Sequence, residues 1–384
     1  MKRVLCMIAV LVLAMASGFS VGAETCLKAE MPPVSSLSAV LYEPTTKTVL
    51  CEKDAHTKRP MASTTKLMTA LLAEECLSWE RVVTVPAAAS GIEGTTLGLK
   101  PNDTLSVGDL VTGMLLESGN DAATALALLI DGDVETFAQR MNQKAKELGM
   151  NDSRFVTPSG LDADGHAASA YDMALLGAAV LSKPHLADVC AKKSAEITIS
   201  GRKVTVCNHN RLLSMVDGCV GLKTGYTDNA KRCLVSAVKR DGLMLIAVTL
   251  NGHEYWSDHK ALYEAGFSAV KAATLSPPVL PPLSVAGGTE KTVQLKADPV
   301  TAVLPKSADM SDVTSVVTWQ TPVLFAPIKA GQTVGTVTYS LNGQQIATAE
   351  ITTKNAVSGA PAVSFWRRTA DTFIVLFHSL FTFR

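Results

Sequence analysis

The sequence predicts a mixed α/β (α+β) domain over the first two thirds of the chain, a small all-β domain behind it, and an apolar segment at each end. Three observations carry this. Helix-forming runs such as Met61 to Ala73 share the first part with strand-like runs such as Leu234 to Val238. A stiff proline-rich connector, Ser276-Pro277-Pro278-Val279-Leu280-Pro281-Pro282, then interrupts the pattern. Beyond it only short strand-like runs follow. At 384 residues and 47% hydrophobic content, the chain is long enough to bury two cores.

At the N-terminus, Met1-Lys2-Arg3 is basic, Val4 to Ala16 is apolar and Val21-Gly22-Ala23 is a small-x-small site. Residues 1–23 therefore read as a secretory signal peptide, too short to be called a spanning helix, and the mature chain as extracytoplasmic. Ala23-Glu24-Thr25 before Cys26 is a poor context for lipoprotein cleavage.

The next helical run holds Ser63-Thr64-Thr65-Lys66, after an extended Arg59-Pro60 approach. An unassisted serine hydroxyl is a poor nucleophile and needs a base within hydrogen-bond reach. Helical spacing of i and i+3 puts Ser63 and Lys66 on one face. A serine in the first turn also turns the positive helix end toward a developing oxyanion. Lys66 is a base only when neutral, and burial beside a second cation, here Lys223, pushes it that way.

A second helical run, Val107 to Leu116, opens on Ser106-x-x-Asp109, close to a capping box. Ser118-Gly119-Asn120 follows it and precedes the apolar run Ala122 to Ile130, which predicts a tight inter-helix loop. Such a loop projects a hydroxyl able to relay protons and an amide able to hold a substrate backbone. Lys223-Thr224-Gly225-Tyr226 lies just before the run Leu234 to Val238. A strand edge there would pair with an extended peptide, Lys223 and Thr224 would bind a terminal carboxylate, and Gly225 would allow close approach. Each motif alone also fits a plain reading: an amphipathic helix, a helix-ending turn, a surface turn. Their order, with separations of 55 and 105 residues, is what favours acyl transfer.

With these motifs the chain resembles the serine-type D-alanyl-D-alanine carboxypeptidases, the low-molecular-weight penicillin-binding proteins. Arg59 to Ala70, Leu116 to Ala123, Met141 to Asp162 and Val216 to Asp228 all look like family segments. One departure is Cys219-Val220, read as a small insertion before the third motif. The resemblance implies Ser63 as nucleophile, Lys66 as base, Ser118 as relay and Asn120 as substrate holder. Lys223 and Thr224 would anchor a carboxylate, and the backbone N–H groups of Ser63 and Tyr226 would form the oxyanion hole. It implies a β-lactamase/transpeptidase-like domain over 24–275: an antiparallel sheet flanked by helices, with a helical region from about residues 80 to 190. It also implies peptidoglycan stem peptides as substrate, β-lactams as covalent inhibitors, and no cofactor.

The all-β domain, 276–355, is marked by Thr292 to Leu295, Val313 to Trp319, Val334 to Tyr339, and Ile346 to Ile351 after an Asn342-Gly343 hairpin signal. A small β-sandwich acting as spacer or partner-binding module is expected. In the last segment, 356–384, apolar residues from Trp366 to Phe381 recur at helical spacing, with Arg367, Arg368 and Asp371 largely opposite. This reads as an amphipathic helix lying on the outer face of the cytoplasmic membrane, the alternative being a helix docked on the protein itself.

Composition excludes other classes. The 35 basic and 35 acidic residues balance, which argues against nucleic-acid binding. Of eight cysteines, Cys6 leaves with the signal peptide, and an odd remainder argues against a full disulfide framework. Cys207 and Cys219 are the pair considered for a bridge. No metal site is expected, since neither C-x-x-C nor H-E-x-x-H occurs. Asp162, Asp164 and His166 read as a hydrogen-bonded loop. A class A-like β-lactamase is the enzymatic alternative, but Asn151 to Ala168 lacks the glutamate such enzymes use. A non-catalytic cell-wall binding protein would be expected to have lost a motif residue.

Overall fold

The computed structural model describes residues 27–360; the expected leader and terminal helix lie outside them. The chain opens with a hairpin, β1 (Ser38–Glu43) and β2 (Thr48–Lys53), then leaves the sheet. A 3-10 turn, Ala62–Thr65, runs into α1 (Lys66–Cys76). The ribbon of β3 (Val82–Thr84) and β4 (Thr104–Ser106) leads to α2 (Val107–Leu116) and α3 (Asn120–Asp131). Then come α4 (Val134–Glu147), α5 (Ala170–Leu181), α6 (Pro184–Ala191) and a second ribbon, β5 (Ser194–Ile199) with β6 (Arg202–Cys207). After the short α7 (Leu212–Met215), the chain returns to the sheet as β7 (Cys219–Thr227), β8 (Lys231–Arg240) and β9 (Leu243–Gly252), and closes with α8 (Tyr255–Ala269).

The sheet is antiparallel in the order β2-β1-β9-β8-β7, so the third motif lies along an edge strand. Alternation along β1 sorts its side chains into two layers. Val40 and Tyr42 join the core beneath α5, while Ala39 and Leu41 join the core beneath α8. Both faces are therefore covered, and the central segments of β8 and β9 are nearly all buried. α5 falls within the stretch expected as a helical region, yet it packs on the sheet. A Cβ added to its Gly177 would touch Leu222, Val235 and Ile246. The Cys219-Val220 insertion is absorbed as a register shift between Cys219 and Gly221, which leaves the motif paired with β8. The thiols of Cys207 and Cys219 are both free.

The capping pattern before α2 forms as expected: Ser106 Oγ accepts from the Asp109 N–H at 2.9 Å.

β10 (Val270–Leu275) precedes the proline-rich segment but pairs with β14 (Val300–Pro305) beyond it. The remaining strands are β11 (Leu283–Ala286), β12 (Thr292–Val293), β13 (Leu295–Lys296), β15 (Val313–Trp319), β16 (Val323–Phe325), β17 (Thr333–Leu341) and β18 (Gln344–Thr353). Sheets β12-β11-β16 and β13-β18-β17-β15 enclose a core that includes Leu283, Val285, Leu324, Val337 and Ile351. The single expected strand 292–295 is split at Gln294, where the chain crosses from one sheet to the other. Asn342 and Gly343 adopt φ of 50° and 80° and close the β17–β18 hairpin at Leu341–Gln344.

Candidate active site

Ser63 sits in the 3-10 turn ahead of α1, and Lys66 is the first residue of that helix. The turn is held from within: Thr64 Oγ1 donates to the Met61 carbonyl at 2.6 Å and Thr65 Oγ1 to the Ala62 carbonyl at 2.8 Å. The three-residue spacing then brings Lys66 Nζ to 2.9 Å from Ser63 Oγ. Nζ also donates to Asn120 Oδ1 and to the Ser159 carbonyl, both at 2.7 Å. Those two oxygens can only accept, so they claim two N–H bonds of the amine. The third direction faces the serine. A neutral Lys66 therefore presents its lone pair to the Ser63 hydroxyl.

Lys66 is fully buried, and burial holds it well below the usual lysine range, with the Lys223 charge pushing the same way and Asp121 opposing. Lys223, also buried, is pushed down to about 8, chiefly by desolvation, while Cys190 and Glu117 oppose the shift. Its Nζ donates to the Thr224 carbonyl at 3.1 Å.

The Asn120 amide is oriented by its surroundings. Nδ2 donates to the Glu93 carbonyl at 2.8 Å, which turns Oδ1 toward Lys66, and the backbone N–H donates to the Thr95 carbonyl at 2.7 Å. Nδ2 makes no other hydrogen bond among the described residues. Ser118, at φ +69° between α2 and α3, is nearly buried and makes no hydrogen bond to Ser63, Lys66 or Lys223 among the described residues. Along β7, Gly225 packs against the Ser63 turn: a Cβ there would stand 2.9 Å from Ser63 N and 3.0 Å from the Met61 carbonyl. Thr224 is half-buried, and Tyr226 is exposed, its hydroxyl donating to Asp228 at 3.0 Å.

Sequence reasoning missed several supports. The Ser159 and Glu93 carbonyls leave no side-chain signature. Asp121 accepts from the backbone N–H groups of Leu97, Leu99 and Ala122 and so holds the loop over Asn120; its place directly after the second motif was the available signal. The Asp162–His166 segment is a hydrogen-bonded loop, as expected, but it also braces the site. The nearly buried His166 accepts the Val156 N–H at Nδ1 and meets Thr65 Oγ1 through Nε2, each at 2.9 Å. Gly160 (φ +87°) lies so close beneath Ala62 that any side chain would overlap its carbonyl. Asp162 accepts from Thr227 Oγ1 at 3.1 Å, which ties the loop to β7.

This architecture overlays on solved penicillin-binding proteins. Penicillin-binding protein 5 of Haemophilus influenzae matches 85% of this chain and 98% of its own, with 28% identity and a TM-score of 0.68. Penicillin-binding protein 6B of Escherichia coli matches 85% and 97%, with 27% identity and a TM-score of 0.67. The fold and site thus define a hydrolase of the penicillin-binding class, followed by that class's all-β domain: residues 279–358 match the C-terminal domain of penicillin-binding protein 5. Residues 25–254 match the D-alanyl-D-alanine carboxypeptidases of peptidase family S11, and the chain belongs to that family. D-alanyl-D-alanine carboxypeptidase activity in the cell wall is the function this membership gives it. Among curated relatives, the D-alanyl-D-alanine carboxypeptidase DacF of Bacillus subtilis is 31% identical over 86% of this chain and 88% of its own. DacC of Escherichia coli is 32% identical over 92% and 91%.

Proposed function

We propose that the enzyme removes the terminal D-alanine of peptidoglycan pentapeptide stems through an acyl-enzyme on Ser63. Neutral Lys66 takes the Ser63 proton as Oγ attacks the carbonyl of the penultimate D-alanine. The backbone N–H groups of Ser63 and Tyr226 receive the oxyanion. The proton passes by way of Ser118 to the leaving nitrogen, the C–N bond breaks, and D-alanine departs. Water then hydrolyses the ester and releases the shortened stem. Asn120 holds the peptide backbone, Gly225 admits it against β7, and Lys223 and Thr224 hold the terminal carboxylate.

The observation that supports this most directly is the set of three partners around Lys66 Nζ, two fixed acceptors and the Ser63 hydroxyl. Treatment with a β-lactam tests it. Its strained amide would acylate the same serine while its leaving group stays tethered, so intact-mass analysis should show one adduct, absent in Ser63→Ala. A labelled peptide carrying any other serine would overturn the assignment.

We further propose that residues 1–23 export the chain and that residues 365–384 attach it to the outer face of the cytoplasmic membrane. The basis is sequence pattern: a charged–apolar–small leader, and aromatic residues opposite Arg367 and Arg368. Full-length protein should pellet with anionic vesicles, and a truncation after Gly359 should stay in the supernatant yet still bind penicillin. Equal sedimentation of the two would remove the anchor.

A further inference from the structure

The all-β domain leaves one sheet edge open. β15 ends the sheet β13-β18-β17-β15 and pairs only with β17, so its outer row of N–H and C=O groups meets no other strand among the described residues. The strand, Val313–Trp319, reads Val-Thr-Ser-Val-Val-Thr-Trp and spans about 23 Å. An edge of that length is a template for a further strand, and proteins usually blunt it with a charge, a proline or a bulge. β15 carries no charged residue and no proline, and its pairing with β17 runs without a register shift. Other edges of the fold are treated differently. β2, at one edge of the large sheet, carries Glu52 and Lys53, and β14 ends on Pro305.

Apolar exposure is concentrated in the same stretch of chain. Val316 is 61% exposed at the middle of β15, and Met310 is 45% exposed in the turn that leads into it. Three residues after Trp319 the chain enters β16, the edge strand of the facing sheet, where Phe325 is 64% exposed.

The order of residues along β15 decides what the edge fits. Val313, Val317 and Trp319 pack on the sandwich core, whereas Thr314, Val316 and Thr318 alternate with them and are exposed. Turned about a two-fold axis at Val316, the strand meets itself in matching pairs. Val316 stands against Val316, Thr314 against Thr318, and Val313 against Trp319. Threonine pairs and aromatic–β-branched pairs of this kind stabilise an antiparallel ladder. Asp312, just before the strand, then faces Gln320, just after it, so no like charges meet.

We propose that the β15 edge is a homodimer interface: two copies of the chain pair antiparallel through β15 about a two-fold axis at Val316, joining their four-stranded sheets into one. The pairing uses up both open edges and therefore closes at two copies. The far edge of the sheet does not extend it, because β13 is two residues long and carries Lys296. A single short ladder makes a small interface, so the association is weak and reversible.

Sedimentation velocity of the purified full-length protein in detergent, between about 1 and 100 µM, should show a monomer–dimer equilibrium. Val316→Lys puts two ammonium groups face to face on the axis and should weaken the dimer at least about ten-fold. Val279→Lys adds the same charge at a 98% exposed site in the proline-rich segment and should leave the equilibrium unchanged. Both variants should keep the wild-type circular dichroism spectrum. Oxidative cross-linking reads the register. Val316→Cys should form a disulfide with its own copy, whereas Thr314→Cys should cross-link through that position only when mixed with Thr318→Cys. Peptide mapping separates these bridges from any made by the native thiols. A protein that stays monomeric over this range, as it would if the edge served a different partner, overturns the proposal. So does a dimer that Val316→Lys leaves intact, or one in which Thr314→Cys bridges to itself.

Discussion

Gly225 and Ser63 meet backbone to backbone: a Cβ on Gly225 would lie 2.9 Å from the Ser63 nitrogen. The edge strand β7 and the Ser63 turn are thereby fixed at a separation that only glycine permits. The third motif thus sets the spacing between β7 and the Ser63 turn.

Gly225→Ala should push β7 from the turn and move the Tyr226 N–H relative to Ser63. Misplacement on the order of 1 Å costs about 10²-fold. Penicillin acylation should slow by about that factor while the protein still folds, because the clash is local to one edge. Acylation within two-fold of wild type would show that the turn yields without consequence.

The two lysines should separate in kinetics. Lys66→Ala removes the base, and acylation of any substrate should fall by at least about 10²-fold. Lys223→Ala should chiefly raise KM for substrates with a free carboxylate. Equal losses toward a C-terminally amidated substrate would contradict this division.

The pH–rate profile follows from the same pair. Activity should rise as Lys66 loses its proton, then decline for carboxylate-bearing substrates as Lys223 loses its own at about 8. The alkaline limb should be absent with an amidated substrate. A limb shared by both substrates would assign it to another group.

What was legible in the sequence was what side chains announce. The three motifs, the Ser106–Asp109 cap, the strand Val313 to Trp319 and the Asn342-Gly343 hairpin all depend on residue identity within a short window. What stayed hidden depends on tertiary placement. The Ser159 and Glu93 carbonyls that fix Lys66 and Asn120 are backbone atoms with no compositional signal. α1 is buried over most of its length, among the other helices, and shows no clear apolar stripe, so nothing in its pattern reveals which face meets which neighbour. The crossing at Gln294 divides a run that local propensity joins. The role of His166 needed its two ring partners, Thr65 from the turn ahead of α1 and the backbone of Val156, which no spacing rule connects.

That histidine makes the site sensitive to acid. Val156 N–H donates to Nδ1, so the ring proton sits on Nε2 and faces Thr65 Oγ1, whose own proton goes to the Ala62 carbonyl. Protonation would place a second donor against the Val156 N–H, inside a buried pocket. Burial accordingly pushes His166 down to about 4. The unfolded chain takes up this proton at about 6.5, so between these limits it binds more protons than the folded one. The contribution is fully present above pH 6.5 and is lost as pH falls toward 4. At 1.36 kcal/mol per pH unit it amounts to about 3 kcal/mol. His259, buried between Ser236 and Thr249 and pushed down to about 3, adds a loss that continues to lower pH. Denaturant titrations at intervals from pH 7 to 4 should show stability declining across this window. His166→Gln should be less stable at pH 7 but decline less steeply between pH 6.5 and 4. Because the same ring braces the Ser63 turn, penicillin acylation of the wild type should fail before global unfolding as the pH drops. An unchanged slope in His166→Gln would mean that this histidine is not the group that titrates.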